Sequence, residues 1–179
     1  IGALSNGIIP PQSGFFVKAM GPGFIQNRSV TIPLSARVHS NVPFFKETIA
    51  NMLELEVAGN NFKDQAYIRF NNNATRGFDI ASDARKLYGI EEAPQLFSLT
   101  DGQEFTINEL PFFSEETIDI GFTCGNSGDF LLNMKGLESF NNKFRIVLED
   151  QKAGIFHDLS DNHQYNFSYI SGESEHRFK

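Results

Sequence analysis

The chain has 179 residues, a net charge of −7 and 40% apolar residues, enough for one sizeable core and short for two ordinary domains. Nineteen Phe, four Tyr and no Trp place most of the aromatic mass in side chains without a polar handle, the kind that fills a core. The acidic balance, with a pI near 5.1 and no basic run, excludes a phosphate-tracking surface and with it nucleic acid. One cysteine, Cys124, excludes an intrachain disulfide, a thiolate metal cluster and a CxxC pair, and reads as a small buried apolar side chain.

In chain order, the start at Ile1 carries no Met, no positively charged leader and no long apolar stretch, so neither a signal peptide nor a membrane span is read, and the chain is predicted to be a piece of a larger one. Ile8-Ile9-Pro10-Pro11 reads as linker, making residues 1–13 a lead-in segment. Strands are expected at Phe15–Ala19, Ser29–Leu34, Met52–Ala58, Gln65–Asn71, Gln95–Thr100, Glu104–Asn108, Thr117–Thr123 and Asp129–Lys135, followed by a meander of short strands from Phe144 to Lys179. The warrant is period-2 alternation: Leu53, Leu55 and Val57 against Glu54 and Glu56; Ile118, Ile120 and Phe122 against Asp119 and Gly121; Tyr165, Phe167 and Tyr169 against Asn166 and Ser168. Strands with one wet face exclude a parallel α/β sheet and favour antiparallel sheets packed face to face.

Turn chemistry agrees. Asp101-Gly102 fits a type I′ hairpin, Gly125-Asn126-Ser127-Gly128 joins two strand candidates, and Gly59-Asn60-Asn61 breaks the chain after Ala58. One helical turn is predicted over Ser82–Tyr88, capped by Ser82 and closed by Gly89. The fold class is all-β: a single antiparallel β-sandwich of jelly-roll type over residues 1–179, with about ten strands and at most one short helix.

Several short elements stand in a characteristic order: PPQSGFFVKA at Pro10–Ala19, then Arg69-Phe70, Ala74-Thr75, Gly77-Phe78-Asp79, Asp83-Ala84 and Lys86-Leu87, then LEDQKAGIFHDL and Arg177-Phe178 near the end. Together they resemble a β-sandwich module of large secreted and surface proteins of Bacteroidetes-type bacteria, often found just ahead of a type IX secretion sorting domain. The resemblance covers nearly the whole chain. It implies an extracellular or cell-surface location, neighbouring domains of the same polypeptide as partners, and an accessory, spacer or adhesion role with no catalytic residue to carry over.

Candidate chemistry is sparse. Asp79 and Asp83, near Asn71, Asn72 and Asn73, offer loop oxygens of the kind calcium takes, without EF-hand spacing. The competing expectation is that Asn-Asn-Asn makes turns and that these carboxylates hold backbone amides or pair with Arg69, Arg76 or Arg85, an ion pair with Arg69 pinning the loop to the sheet. His39, His157, His163 and His176 lack zinc spacing, and His157-Asp158 with Ser160 has triad residue types without a nucleophile elbow, which reads as a polar turn. Carboxylate pairs such as Glu54 and Glu56 read as solvated faces. Tyr67 is the best candidate for a sugar contact, although a cross-strand aromatic pair would explain it equally. The expected function is therefore a non-catalytic module without a required cofactor; the alternatives are a carbohydrate-binding accessory module, binding an extracellular glycan, and more distantly a hydrolase.

Overall fold

A computed structural model describes residues 31–36, 49–112, 116–141 and 144–179. The chain divides into two compact units, Ile1–Glu47 and Thr48–Lys179. Of the first, the described residues form an exposed stretch with a 3-10 turn at Leu34–Ala36, so the part of the Ser29–Leu34 strand candidate that is described is not strand. The candidate at Phe15–Ala19 lies outside the described residues.

Among the described residues, the second unit has eleven strands: β1 Met52–Gly59, β2 Phe62–Phe70, β3 Ala84–Arg85, β4 Gln95–Thr100, β5 Gln103–Leu110, β6 Asp119–Thr123, β7 Gly128–Lys135, β8 Val147–Asp150, β9 Ile155–Asp158, β10 Gln164–Tyr169 and β11 His176–Phe178. They join into one ribbon in the order β10-β7-β1-β2-β5-β4-β6-β11-β8-β9, with β3 added to β5 off that path. The ribbon curls into a nearly closed, barrel-like sandwich. Across the core Phe122 of β6 sets its ring edge-on to Phe167 and Tyr169 of β10, with centroids 5.0 and 4.9 Å away, the geometry that the aromatic quadrupole favours.

The alternation read from the sequence is the alternation of burial. Leu53, Leu55 and Val57 are buried while Glu54 and Glu56 stand on the other face of β1, and Leu132 and Met134 of β7, Phe167 and Tyr169 of β10 join them in one cluster. Two hairpins use the expected left-handed pairs. Asn60 and Asn61 have φ of 51° and 65°, and Asp101 and Gly102 have φ of 51° and 70°, which is what a type I′ turn needs to match the twist of its strands.

Three features depart from expectation. First, β2 and β5 run parallel, Tyr67 beside Ile107 and Phe70 beside Leu110, in a sheet whose other pairs are antiparallel. Second, the segment expected to be a helical turn over Ser82–Tyr88 contains β3 instead; Ala84 pairs with Ile107, and the Lys86 amide donates to the Glu104 carbonyl at 2.9 Å. Asp83, next to the expected cap Ser82, is also engaged by the sheet, its carboxylate accepting the Glu109 amide at 2.8 Å, so sheet pairing outcompetes a marginal single turn. Helical geometry occurs in the second unit as a 3-10 helix at Leu137–Phe140. Third, β4 is buried on both faces. Phe97 and Phe105 are buried outside the main cluster, beneath the long excursion of residues 71–94, where Tyr88 stands edge-on to Phe97 at 6.0 Å and Phe78 stacks on Phe105 at 6.2 Å. Gly121, opposite Phe97, is required here, because a Cβ would sit 2.2 Å from the Phe97 ring.

Candidate functional site

The outer face of β1, β2 and β7 carries the best-organised polar surface. Because Glu54 pairs with both Tyr67 and Lys135, and Glu56 with Gln65 and Asn133, strand register alone brings two carboxylates, two amides, a phenol and an ammonium onto one face. Gln65 Nε2 donates to Glu54 at 3.2 Å and to Glu56 at 3.1 Å, and the Tyr67 hydroxyl donates to Gln65 Oε1 at 3.1 Å. Lys135 pairs with Glu54 at 3.0 Å and Lys63 with Glu56 at 3.2 Å. The hydrogen bond from Lys63 holds the Glu56 carboxyl below its ordinary value despite partial burial, and burial together with the Glu54 charge pushes the Tyr67 phenol up. A shallow groove of about 400 Å³ opens beside Tyr67, lined by Glu56, Lys63, Asp64, Gln65 and Thr106.

The excursion holds the other predicted residues. Arg69 does not reach Asp79 or Asp83; its Nη1 pairs with Glu109 at 3.0 Å, and Asn71 Nδ2 donates to the same carboxylate at 2.8 Å. The loop is pinned to the sheet nonetheless, through Asp83, which accepts the Asp79 amide at 2.7 Å and the Glu109 amide at 2.8 Å. Asp79 accepts the Ala81 amide at 2.8 Å. These carboxylates thus act as acceptors for turns, and among the described residues no group of three or more His, Cys, Asp or Glu side chains gathers in a way that could hold a metal.

The triad residue types are not assembled. Ser160 Oγ donates to Asp158 Oδ1 at 2.6 Å, Arg145 Nε donates to Oδ2 at 2.6 Å, and His157 Nε2 lies 2.8 Å from the Asn162 carbonyl. The Ser160 hydroxyl and amide, with Arg145, lower the Asp158 carboxyl to about 2. Glu56, Asp150, Asp158 and Glu173 are all held below the ordinary carboxylate range, the reverse of what a general acid requires. Cys124 is buried and gives its thiol to the Glu92 carbonyl at 3.4 Å.

One buried constellation escaped sequence reasoning. Asp150 is fully buried at the end of β8 and receives Arg177 Nε and Nη2, the latter at 2.7 Å, together with the Tyr165 hydroxyl at 2.9 Å and the Lys152 and Ala153 amides at 3.1 Å. Arg177 spends Nη1 on the Ser168 carbonyl of edge strand β10 at 2.7 Å, and its guanidinium lies over the Phe167 ring at 4.6 Å. Burial alone would raise the Asp150 carboxyl, but the hydrogen bonds from Arg177, Ala153 and Tyr165 more than offset it and hold it low. Burial and the bond to Asp150 push the Tyr165 phenol up to about 12. The available signal was Asp150 itself, a carboxylate falling on the inward stripe of Ile146 and Leu148, where an unpaired charge is too costly to be tolerated.

Inside the curled sheet lies an apolar cavity of about 430 Å³, with Phe70, Phe112, Ile118, Phe144, Ile146 and Phe156 on its walls. No helix among the described residues is long and apolar enough to cross a membrane.

An all-β module is thus what the geometry defines. The chain belongs to the family described as a domain of unknown function, DUF8693, whose model matches residues 2–179. It is also similar to the minor fimbrium subunit Mfa5 of Porphyromonas gingivalis, 29% identical over 134 residues, which is 73% of this chain and 11% of that protein. The matched stretch is therefore a small part of the curated relative. No solved structure matches the chain.

Proposed function

We propose that this chain is a non-catalytic accessory module of a bacterial cell-surface protein, serving as a spacer or adhesion element and packing against neighbouring domains of the same polypeptide. The similarity to a fimbrium subunit over 73% of the chain carries this reading. Two features of the fold support it. The carboxylates of the outer face are neutralised by lysines in place of facing one another across a cleft, and a buried ion pair ties β8 to β11 while both of its members also bond to β10, as suits a passive structural unit. Export through a type IX route, and a Bacteroidetes source, are the finer form of the same proposal. The test is surface shaving of intact cells that make the full-length protein. Protease release of peptides from this module is expected without lysis; peptides recovered solely after lysis overturn the reading.

A second reading, binding of an extracellular glycan, rests on Tyr67 and the groove beside it, where carboxylate, amide and phenol groups line one polar floor. Saturable retention on a polysaccharide matrix that Tyr67→Ala abolishes, with the melting temperature unchanged, would favour it. A flat response across a glycan array leaves the spacer role.

A further inference from the structure

Lys86 and Asp64 form a pair that the polar network of the outer face does not explain. Lysine is seldom buried unless it is partnered, and the Lys86 side chain is 2% exposed, with its Nζ in contact with Asp64 Oδ2. The two residues are 22 positions apart and sit on separate elements, Asp64 in β2 and Lys86 just beyond β3. Neither is free to swing away. The Lys86 amide is tied to the Glu104 carbonyl, and Asp64 Oδ2 also accepts the Leu96 amide at 2.6 Å, taking the place of a strand partner at the start of β4. The Tyr88 ring lies 5.9 Å from the ammonium. The Asp64 side chain is 24% exposed, so the ammonium is the poorly solvated partner, and its desolvation offsets much of the Coulomb attraction.

The geometry points to a covalent cross-link: an isopeptide bond between Lys86 Nζ and Asp64 Cγ, formed within the folded chain. Nζ bonds to Cγ and gives up two protons; one C–Oδ bond breaks, and the departing oxygen takes both protons as a single water. The ammonium and carboxylate charges vanish together, so the step needs no oxidant, reductant or energy-rich co-reactant. Holding amine and carboxyl in contact replaces an encounter with a unimolecular step. The Leu96 N–H already points at the Asp64 oxygen on which negative charge gathers in the tetrahedral intermediate. A neutral amide then stands where a buried ammonium and a partly exposed carboxylate stood, and the base of the excursion is fastened to β2.

Intact-mass measurement of the purified chain tests this without any variant. The expected mass is below that of the sequence by one water, with digestion yielding a branched peptide that joins the segments around Asp64 and Lys86. Lys86→Met and Asp64→Ala are each expected at full mass and with linear peptides. A wild-type chain at full mass overturns the proposal, and so does a chain lighter by one water that yields linear peptides alone, since a succinimide elsewhere would account for that loss.

Discussion

The closing meander and the excursion of residues 71–94 both use aspartates to organise backbone, and they do so at opposite depths. In the meander, Asp150 is fully buried and meets a guanidinium that is itself 7% exposed. In the excursion, Asp79 and Asp83 hold amides nearer the surface, in a segment whose Ile80, Leu87 and Ile90 side chains are exposed. The lesson is that the same side chain fixes a turn cheaply where water can reach it and becomes a global lock where water cannot. Removing one partner of a buried pair leaves an uncompensated charge, whereas removing a surface acceptor leaves amides that solvent can satisfy.

The contrast is broken most severely at Arg177. Arg177→Met is expected to cost about 3–5 kcal/mol in urea unfolding; a loss of the size typical of a surface substitution would mean that Asp150 finds water. The next effect is on acid stability. The Asp150 carboxyl sits below its ordinary value of 3.8 in the folded chain, so its contribution is complete above that value and drains away as the pH falls below it. Asp150→Asn should flatten the dependence of stability on pH below about pH 4, and an unchanged acid limb would contradict this. At the other extreme, Tyr165, raised to about 12, contributes fully below its ordinary 10.0 and loses that contribution as the pH climbs toward the folded value.

Smaller effects belong to the excursion. Asp83→Ala should cost about 1 kcal/mol globally while markedly speeding limited proteolysis between residues 72 and 92, because the tie to the Glu109 amide is lost. Cleavage at the wild-type rate would show that the loop is held elsewhere. Smallest of all, millimolar calcium is expected to leave the melting temperature unmoved, since a ligand of the folded state would have to raise it and the Asp79 and Asp83 oxygens already accept amides. A rise abolished by Asp79→Ala would establish the calcium site instead.

How much could be read in advance follows from range. The strands of the second unit were legible wherever alternation is local, as in Met52–Gly59 and Gln164–Tyr169, and the turns at Asn60-Asn61 and Asp101-Gly102 announced themselves because few residues accept positive φ. What stayed hidden depends on partners distant in sequence. Nothing local tells β2 to lie parallel to β5, or tells Ala84–Arg85 to add to β5 in preference to making a helical turn. The double burial of β4 was signalled faintly, by the apolar Phe97 and Leu99 on the face opposite Leu96, but its cause is the excursion lying above. At the candidate site, Tyr67 was found on an organised polar face, as its alternation implied, while the Arg69 partner was missed because Glu109 is 40 positions away.

The place of β11 between β6 and β8 has a consequence for how the molecule is made. The β8–β9 hairpin reaches the rest of the sheet through that three-residue strand, and Arg177 lies within it. The pairing of residues 147–158 with the rest of the sheet therefore waits on His176–Phe178, so a truncation that removes this short strand strips the hairpin of its sheet partner as well.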